Sequence, residues 1–191
     1  MQTVLDQRNR QMRRALKWSA GLFAGYLFVT LRVLTNGPFI EIDRYFNDLD
    51  RPRFTGISNF VIRRLGDLGL RSVSGIALLI VAIYIAKRFK TYRPFNLGLL
   101  AFISLNVVVG SFKYALGRTK PREGFDLLHA GGMSYPSGHA SNAILIWGII
   151  AYLIYRYAHV DRYRGRLASS AVGLLALTVC IVSLVRNTHW F

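Results

Sequence analysis

SYPSGHASNAILIWGIIAYLIY, residues 134–155, holds both a helix start and enough apolar length to cross a bilayer. Pro136 ends an extended approach, and Ser137 is a residue type that caps helices by accepting from the free N–H groups of the first turn. From Ser137 to Tyr155 the run is almost wholly apolar, close to the roughly 20 residues that a membrane-spanning helix needs. The backbone N–H groups of Gly138 and His139 would then point out from the positive end of a helix dipole, a place suited to phosphate. Gly138 lets a ligand come close to the backbone, and His139 puts a titratable group at the rim.

Working outward, four more apolar runs are found: about Leu16 to Leu34, about Leu68 to Ala86, Phe95 to about Leu116, and about Leu167 to Val185. Arg32 interrupts the first near its end, where a long side chain can snorkel, and Arg71 stands at the entrance of the second. The chain is 52% apolar yet carries 25 Lys+Arg against 9 Asp+Glu, a formal charge of +16. Its charges are clumped between the apolar runs, which excludes an ordinary soluble domain and a nucleic-acid binder alike. Apolar residues are too abundant for disorder, and Cys180 is the only cysteine, which excludes a disulfide scaffold. The first run is too long for a cleaved signal peptide and has no small-residue cleavage site before a soluble domain. The expectation is an all-α, polytopic membrane helix bundle with five spans, residues 1–191 forming one domain.

Charge placement predicts how the spans point. Residues 1–17 hold Arg8, Arg10, Arg13, Arg14 and Lys17 against Asp6; the second link holds Lys87, Arg88, Lys90 and Arg93; the fourth holds Arg156, Arg162, Arg164 and Arg166 against Asp161. In segment 36–67 the arginines and the acids balance. Positive residues stay inside, so the N-terminus and the two basic links are expected in the cytoplasm of a cell-membrane protein. Segments 36–67 and 117–136 and the C-terminus then face outward. Within 36–67, Phe54, Ile57, Val61, Leu65 and Leu68 recur at helical spacing. The pattern is read as an amphipathic connector helix packed on the bundle; a helix lying at the outer interface and guarding lipid entry is the sharper alternative. Gly21 and Gly25 form a small-residue pair too common in membrane helices to specify an oligomer.

The unusual residues gather at the outward ends of the last three spans. Lys113 lies in the last turn of an otherwise apolar helix, and a lysine there is functional by default. Arg118, Lys120 and Arg122 follow within ten residues, opposed only by Glu123 and Asp126. A positive fringe belongs on the cytoplasmic side, so this outward cluster points to an anion site. VSLVRNTHWF, residues 182–191, brings Arg186 and His189 to the same level, with Trp190 as an interfacial anchor. Two histidines among cations suggest phosphoryl transfer: one imidazole attacks phosphorus, the other protonates the leaving oxygen, and the cations hold the remaining oxygens. A metal site fits poorly, because no HExxH or CxxC spacing occurs and the cations would repel a metal ion. His159 lies in a cytoplasmic link without comparable company, and the role of His129 stays open.

These three blocks resemble the type 2 phosphatidic acid phosphatase (PAP2) superfamily, whose pattern is Lys-x6-Arg-Pro, Pro-Ser-Gly-His and Ser-Arg-x5-His-x3-Asp. Lys113 with Lys120-Pro121 matches the first, lysine standing for arginine; Pro136, Ser137, Gly138 and His139 match the second throughout; His189 matches the third. The resemblance implies a six-helix membrane fold with its site at the outer leaflet, acting on a lipid phosphate. The lipid would be a phosphatidate, a phosphatidylglycerophosphate or a polyprenyl diphosphate. It also implies that His189 is the nucleophile that becomes phosphohistidine and His139 the general acid. Lys113, Lys120, Ser137 and the Gly138 amide would hold phosphate oxygens, with no metal or cofactor required.

Two departures stand out. Ser183 occupies the place of the family's second arginine, and the family's aspartate would fall two positions past Phe191, as would a sixth span; the 191 residues read as a truncated version of a longer chain. Arg186, one helical turn from Ser183, is expected to supply a compensating guanidinium. The same departures support the alternative of a degenerate relative that binds anionic lipid headgroups without turnover. A transporter would need broken apolar segments paired between two halves, and none occur.

Overall fold

The computed structural model describes residues 2–35, 38–50, 52–120 and 127–189, and among them it is all-helical. The chain divides into two compact units, Met1–Asp48 and Leu49–Phe191. In the first, α1 (Gln2–Leu34) and α2 (Pro38–Asp48) are helices. The apolar run expected to start at Leu16 is the second half of α1, continuous with the basic N-terminal half. Arg, Lys, Gln, Met, Leu and Ala favour helix, and neither Gly21 nor Gly25 suffices to break it. Pro38 opens α2, where its missing N–H is no loss.

The second unit holds α3 (Gly56–Asp67), α4 (Arg71–Arg88), α5 (Arg93–Leu116), α6 (Gly138–Tyr157) and α7 (Arg162–Val185). Segment 36–67 thus holds α2 in the first unit and, over the expected stripe, α3 in the second. The stripe expected there is shifted. Phe54 precedes Thr55, the N-cap of α3, and Leu68 is its C-cap. Ile57 and Val61 are 83% and 47% exposed, whereas Gly66 is buried and so close to α7 that an added Cβ would come 3.2 Å from Val182 Cγ1. α3 thus meets α7 through Gly66, and of the expected stripe Leu68 packs against Ala143, Ala176 and Val179.

α6 lies between α4, α5 and α7. Leu78, Ala82 and Ile85 of α4 repeat at helical spacing and pack with Ile146, Ile150 and Leu153 of α6 in one buried cluster. Ala143, one turn before Ile146, is buried against Ala176 and Val179 of α7. In lipid such packing is held by dispersion and by hydrogen bonds between elements rather than by escape from water. Two such bonds fix the corner between α3 and α4: Trp147 Nε1 donates to the Leu68 carbonyl at 3.0 Å, and Asn142 Nδ2 to that of Gly69 at 3.3 Å.

Among the described residues α5, α6 and α7 are each long and apolar enough to cross a membrane, and α3 with α4, bent by 57°, add a fourth if the pair is one span. The fold is thus that of a multi-pass membrane protein, with three or four of the five expected spans recognisable among the described residues by length and composition. In α1 the apolar stretch is bracketed by Lys17 and Arg32.

Candidate active site

The site is assembled where α5 ends and α6 begins. Gly117 stops α5 in the left-handed conformation (φ 53°) that a glycine adopts without strain, and its N–H returns to the Lys113 carbonyl at 2.9 Å. Residues 127–134 then dock back on 116–119. His129 N–H donates to Leu116, Ala130 and Gly132 N–H to Gly117, and Ser134 N–H to Arg118, at 2.9–3.1 Å. Gly132 lies against the Arg118 carbonyl with no room for a Cβ, and Arg118 itself is 1% exposed. Ser137 caps α6, its Oγ accepting from Ala140 N–H at 3.3 Å, so Gly138 and His139 form the first turn.

This backbone aims two side chains. Lys113 Nζ donates to the Met133 carbonyl at 2.5 Å and lies over the start of α6, 3.9 Å from where a Cβ on Gly138 would be. A Cβ at Gly138 would thus be in ordinary contact with the lysine, and the room that the glycine leaves is on the side open to a ligand. His189, three residues beyond the Arg186 C-cap of α7, places Nδ1 2.8 Å from the Ser134 carbonyl. A carbonyl oxygen only accepts, so Nδ1 carries the proton and Nε2 keeps its lone pair. The rings of His139 and His189 stand 6.1 Å apart, centroid to centroid, at 60°.

His189 is held neutral to lower pH than an ordinary histidine. Burial does most of this, and the charges of Lys113, His139 and Lys120 add to it, while the bond to Ser134 works in the opposite direction. Arg71 and Lys120 both act electrostatically on Lys113, and Lys113, Asp67 and Arg186 act on His139. Arg186 reaches toward α3, its Nη1 3.8 Å from where a Gly66 Cβ would lie. Ser183, by contrast, is buried and donates its hydroxyl to the Val179 carbonyl one turn back at 2.8 Å, so it supplies no charge to the site.

His139, His189, Lys113, Lys120, Ser137, Gly138 and Arg186 are thus brought into one neighbourhood, Lys120 on its exposed side. His129 is exposed, its backbone serving the loop. Pro121, Arg122, Glu123, Asp126 and Trp190 lie outside the described residues. Among the described residues, no three of His, Cys, Asp and Glu converge to hold a metal ion. Ser134, Arg71, Asp67 and Gly69 belong to the same neighbourhood and were not expected from sequence. Arg71 was legible in principle, because it opens a span whose first turn lies at the same end of the bundle as Lys113. Gly69 was not: a Cβ there would fall 2.7 Å from the His139 carbonyl oxygen and 2.9 Å from His139 Cβ, an approach only the fold creates.

No family model matches the chain, and no curated protein sequence does. A solved structure does: the first transmembrane PAP2 type phosphatidylglycerolphosphate phosphatase from Bacillus subtilis is similar over 86% of this chain and 82% of that one, with a TM-score of 0.73 and 21% identity. The chain has the PAP2-type membrane fold.

Proposed function

We propose that the chain is an integral-membrane lipid phosphate phosphatase of the PAP2 type. The observation that carries this reading is the pairing of His139 with His189 across 6.1 Å, the latter with its Nδ1 proton committed to a carbonyl. Two imidazoles so placed can address the two sides of one phosphorus. His189 Nε2 attacks phosphorus, the bond from phosphorus to the lipid oxygen breaks, and protonated His139 gives its proton to that oxygen. Water then attacks the phosphohistidine, His139 takes a proton from it, the P–N bond breaks, and phosphate leaves with His189 restored. Lys113, Lys120, Arg186 and the N–H groups at the start of α6, capped by Ser137, stabilise the equatorial oxygens, with no metal required.

A lipid substrate is supported by an apolar groove of about 330 Å³ between α4 and α5, lined by Ile76, Leu79, Leu99 and Phe102 with Arg71 at one end. Arg71 also interacts electrostatically with Lys113, so one cation borders both the groove and the cation cluster. From Arg71 to Ala82 the groove runs about 16 Å at about 1.5 Å per helical residue, room for much of an acyl chain. The name of the Bacillus subtilis protein makes phosphatidylglycerophosphate the first substrate to try, ahead of phosphatidate and polyprenyl diphosphate. By the charge rule, the N-terminus is cytoplasmic and the site lies on the outer leaflet of the cell membrane.

The test is phosphate release from phosphatidylglycerophosphate in mixed micelles by the purified chain. Release abolished by His189→Ala and by His139→Ala is expected. Release untouched by both would remove the mechanism. Binding of the lipid with no release at all would favour the headgroup-binding alternative, which the chargeless Ser183 supports.

A further inference from the structure

Adjacent carbonyls of one loop hold the two groups that matter most, Met133 the Lys113 ammonium and Ser134 the His189 imidazole. Ser134 is 3% exposed, and three of its groups are engaged at once. Its N–H donates to the Arg118 carbonyl at 3.1 Å, its hydroxyl lies 2.8 Å from that same carbonyl and also reaches that of Thr119, and its own carbonyl accepts from His189. The hydroxyl thus ties the carbonyl to the chain just after α5, the helix that carries Lys113. We propose that Ser134 is the positioning residue of His189: its carbonyl does for the imidazole what an orienting carboxylate does elsewhere, and its hydroxyl keeps that carbonyl in place.

The physical basis is tautomer control. A free imidazole divides its proton between two nitrogens, and an Nδ1 acceptor commits the proton there and leaves Nε2 as the attacking atom. An uncharged carbonyl does this without adding a negative charge beside an anionic substrate. Ser134 also sits three residues before the Ser137 cap, so one short stretch sets the nucleophile, the lysine and the turn bearing His139. The groups facing His189 are Lys113 of α5, Lys120 beyond it and His139 of α6, all of which favour the neutral ring, while the Ser134 bond alone favours the charged one.

The inference rests on the phosphatase reading for the word nucleophile, but its own readout is spectroscopic. The imidazole nitrogens of the full chain in detergent micelles, labelled with 15N and assigned through His189→Gln, report tautomer and titration directly. Ser134→Ala is expected to turn a single Nδ1–H form of His189 into a mixture and to move its titration to lower pH. It should also lower kcat on the order of 10- to 100-fold with little change in KM, the usual cost of losing an orienting partner. Ser134→Thr, which keeps the hydroxyl, should restore both. Should Ser134→Ala fail to fold, replacing Tyr135 by its α-hydroxy acid turns the Ser134 carbonyl into a weaker, ester acceptor while keeping every side chain, and the same changes are expected. An unaltered tautomer and titration in the folded variant, or in the ester, overturns the proposal. A tautomer that responds in a protein releasing no phosphate keeps the positioning role and removes the phosphatase reading instead.

Discussion

Lys113 and Gly138 meet across the seam between α5 and α6: the ammonium lies 3.9 Å from the place a Gly138 Cβ would take, while donating to the Met133 carbonyl. A cation is thereby stacked on the positive end of a helix, an arrangement that repels in the absence of an anion. An anion bound between them relieves both charges. Lys113→Met is expected to lower kcat about 100- to 1000-fold, the scale of losing one preorganised contact to a transition-state oxygen. Lys113→Arg should recover little, because the longer planar head cannot keep the short bond to Met133. Steady-state phosphate release measures both.

The pH profile follows from His189. Nucleophilic attack needs the neutral ring, so activity falls as pH drops through the pKa of His189. Burial first, then the charges of Lys113, His139 and Lys120, lower that pKa despite the Ser134 bond. The acid limb of kcat/KM should therefore have its midpoint below the ordinary histidine value of about 6.5. Removing the Lys113 charge takes away one lowering cause, so the residual activity of Lys113→Met should show its acid limb moved upward. A limb at or above 6.5 in the unaltered protein would contradict the burial of this ring.

Gly69 tests the α3–α4 corner. A methyl group there cannot avoid the His139 backbone, so Gly69→Ala must push the corner away from α6 and strain the bonds from Asn142 and Trp147. The expected cost is about 1–3 kcal/mol of stability, typical of overpacking, with a loss of activity. Thermal unfolding in detergent, compared with Gly173→Ala, where nothing lies within 4 Å, isolates the effect.

The groove is tested by chain length. Leu79→Trp should raise KM for a long-chain lipid phosphate about tenfold, roughly 1.4 kcal/mol, and leave a dioctanoyl analogue almost unaffected. Equal effects on both substrates would place the acyl chain elsewhere.

Arg186→Ala tests compensation for Ser183. Because Arg186 acts on His139 from the end of α7, its loss should reduce kcat at least about tenfold. Full activity would mean that no guanidinium replaces the one Ser183 lacks.

Local sequence determined a good deal. The cap at Ser137, the stop at Gly117 and the apolar periodicity of α5, α6 and α7 are properties of contiguous residues, and the blocks bearing Lys113, His139 and His189 could be read for their chemistry one by one. What tertiary structure decided are relations between backbone atoms far apart in the chain. The Ser134 carbonyl has no residue type, so no pattern announces that it will meet His189. Gly66 and Gly69 look like flexible punctuation until α7 and His139 come against them. α3 meets α7 through Gly66 as well as Leu68, while Ile57 and Val61 of its apolar stripe stay exposed, since in a bilayer apolar surface gains little by leaving lipid and close contact at a small residue counts for more.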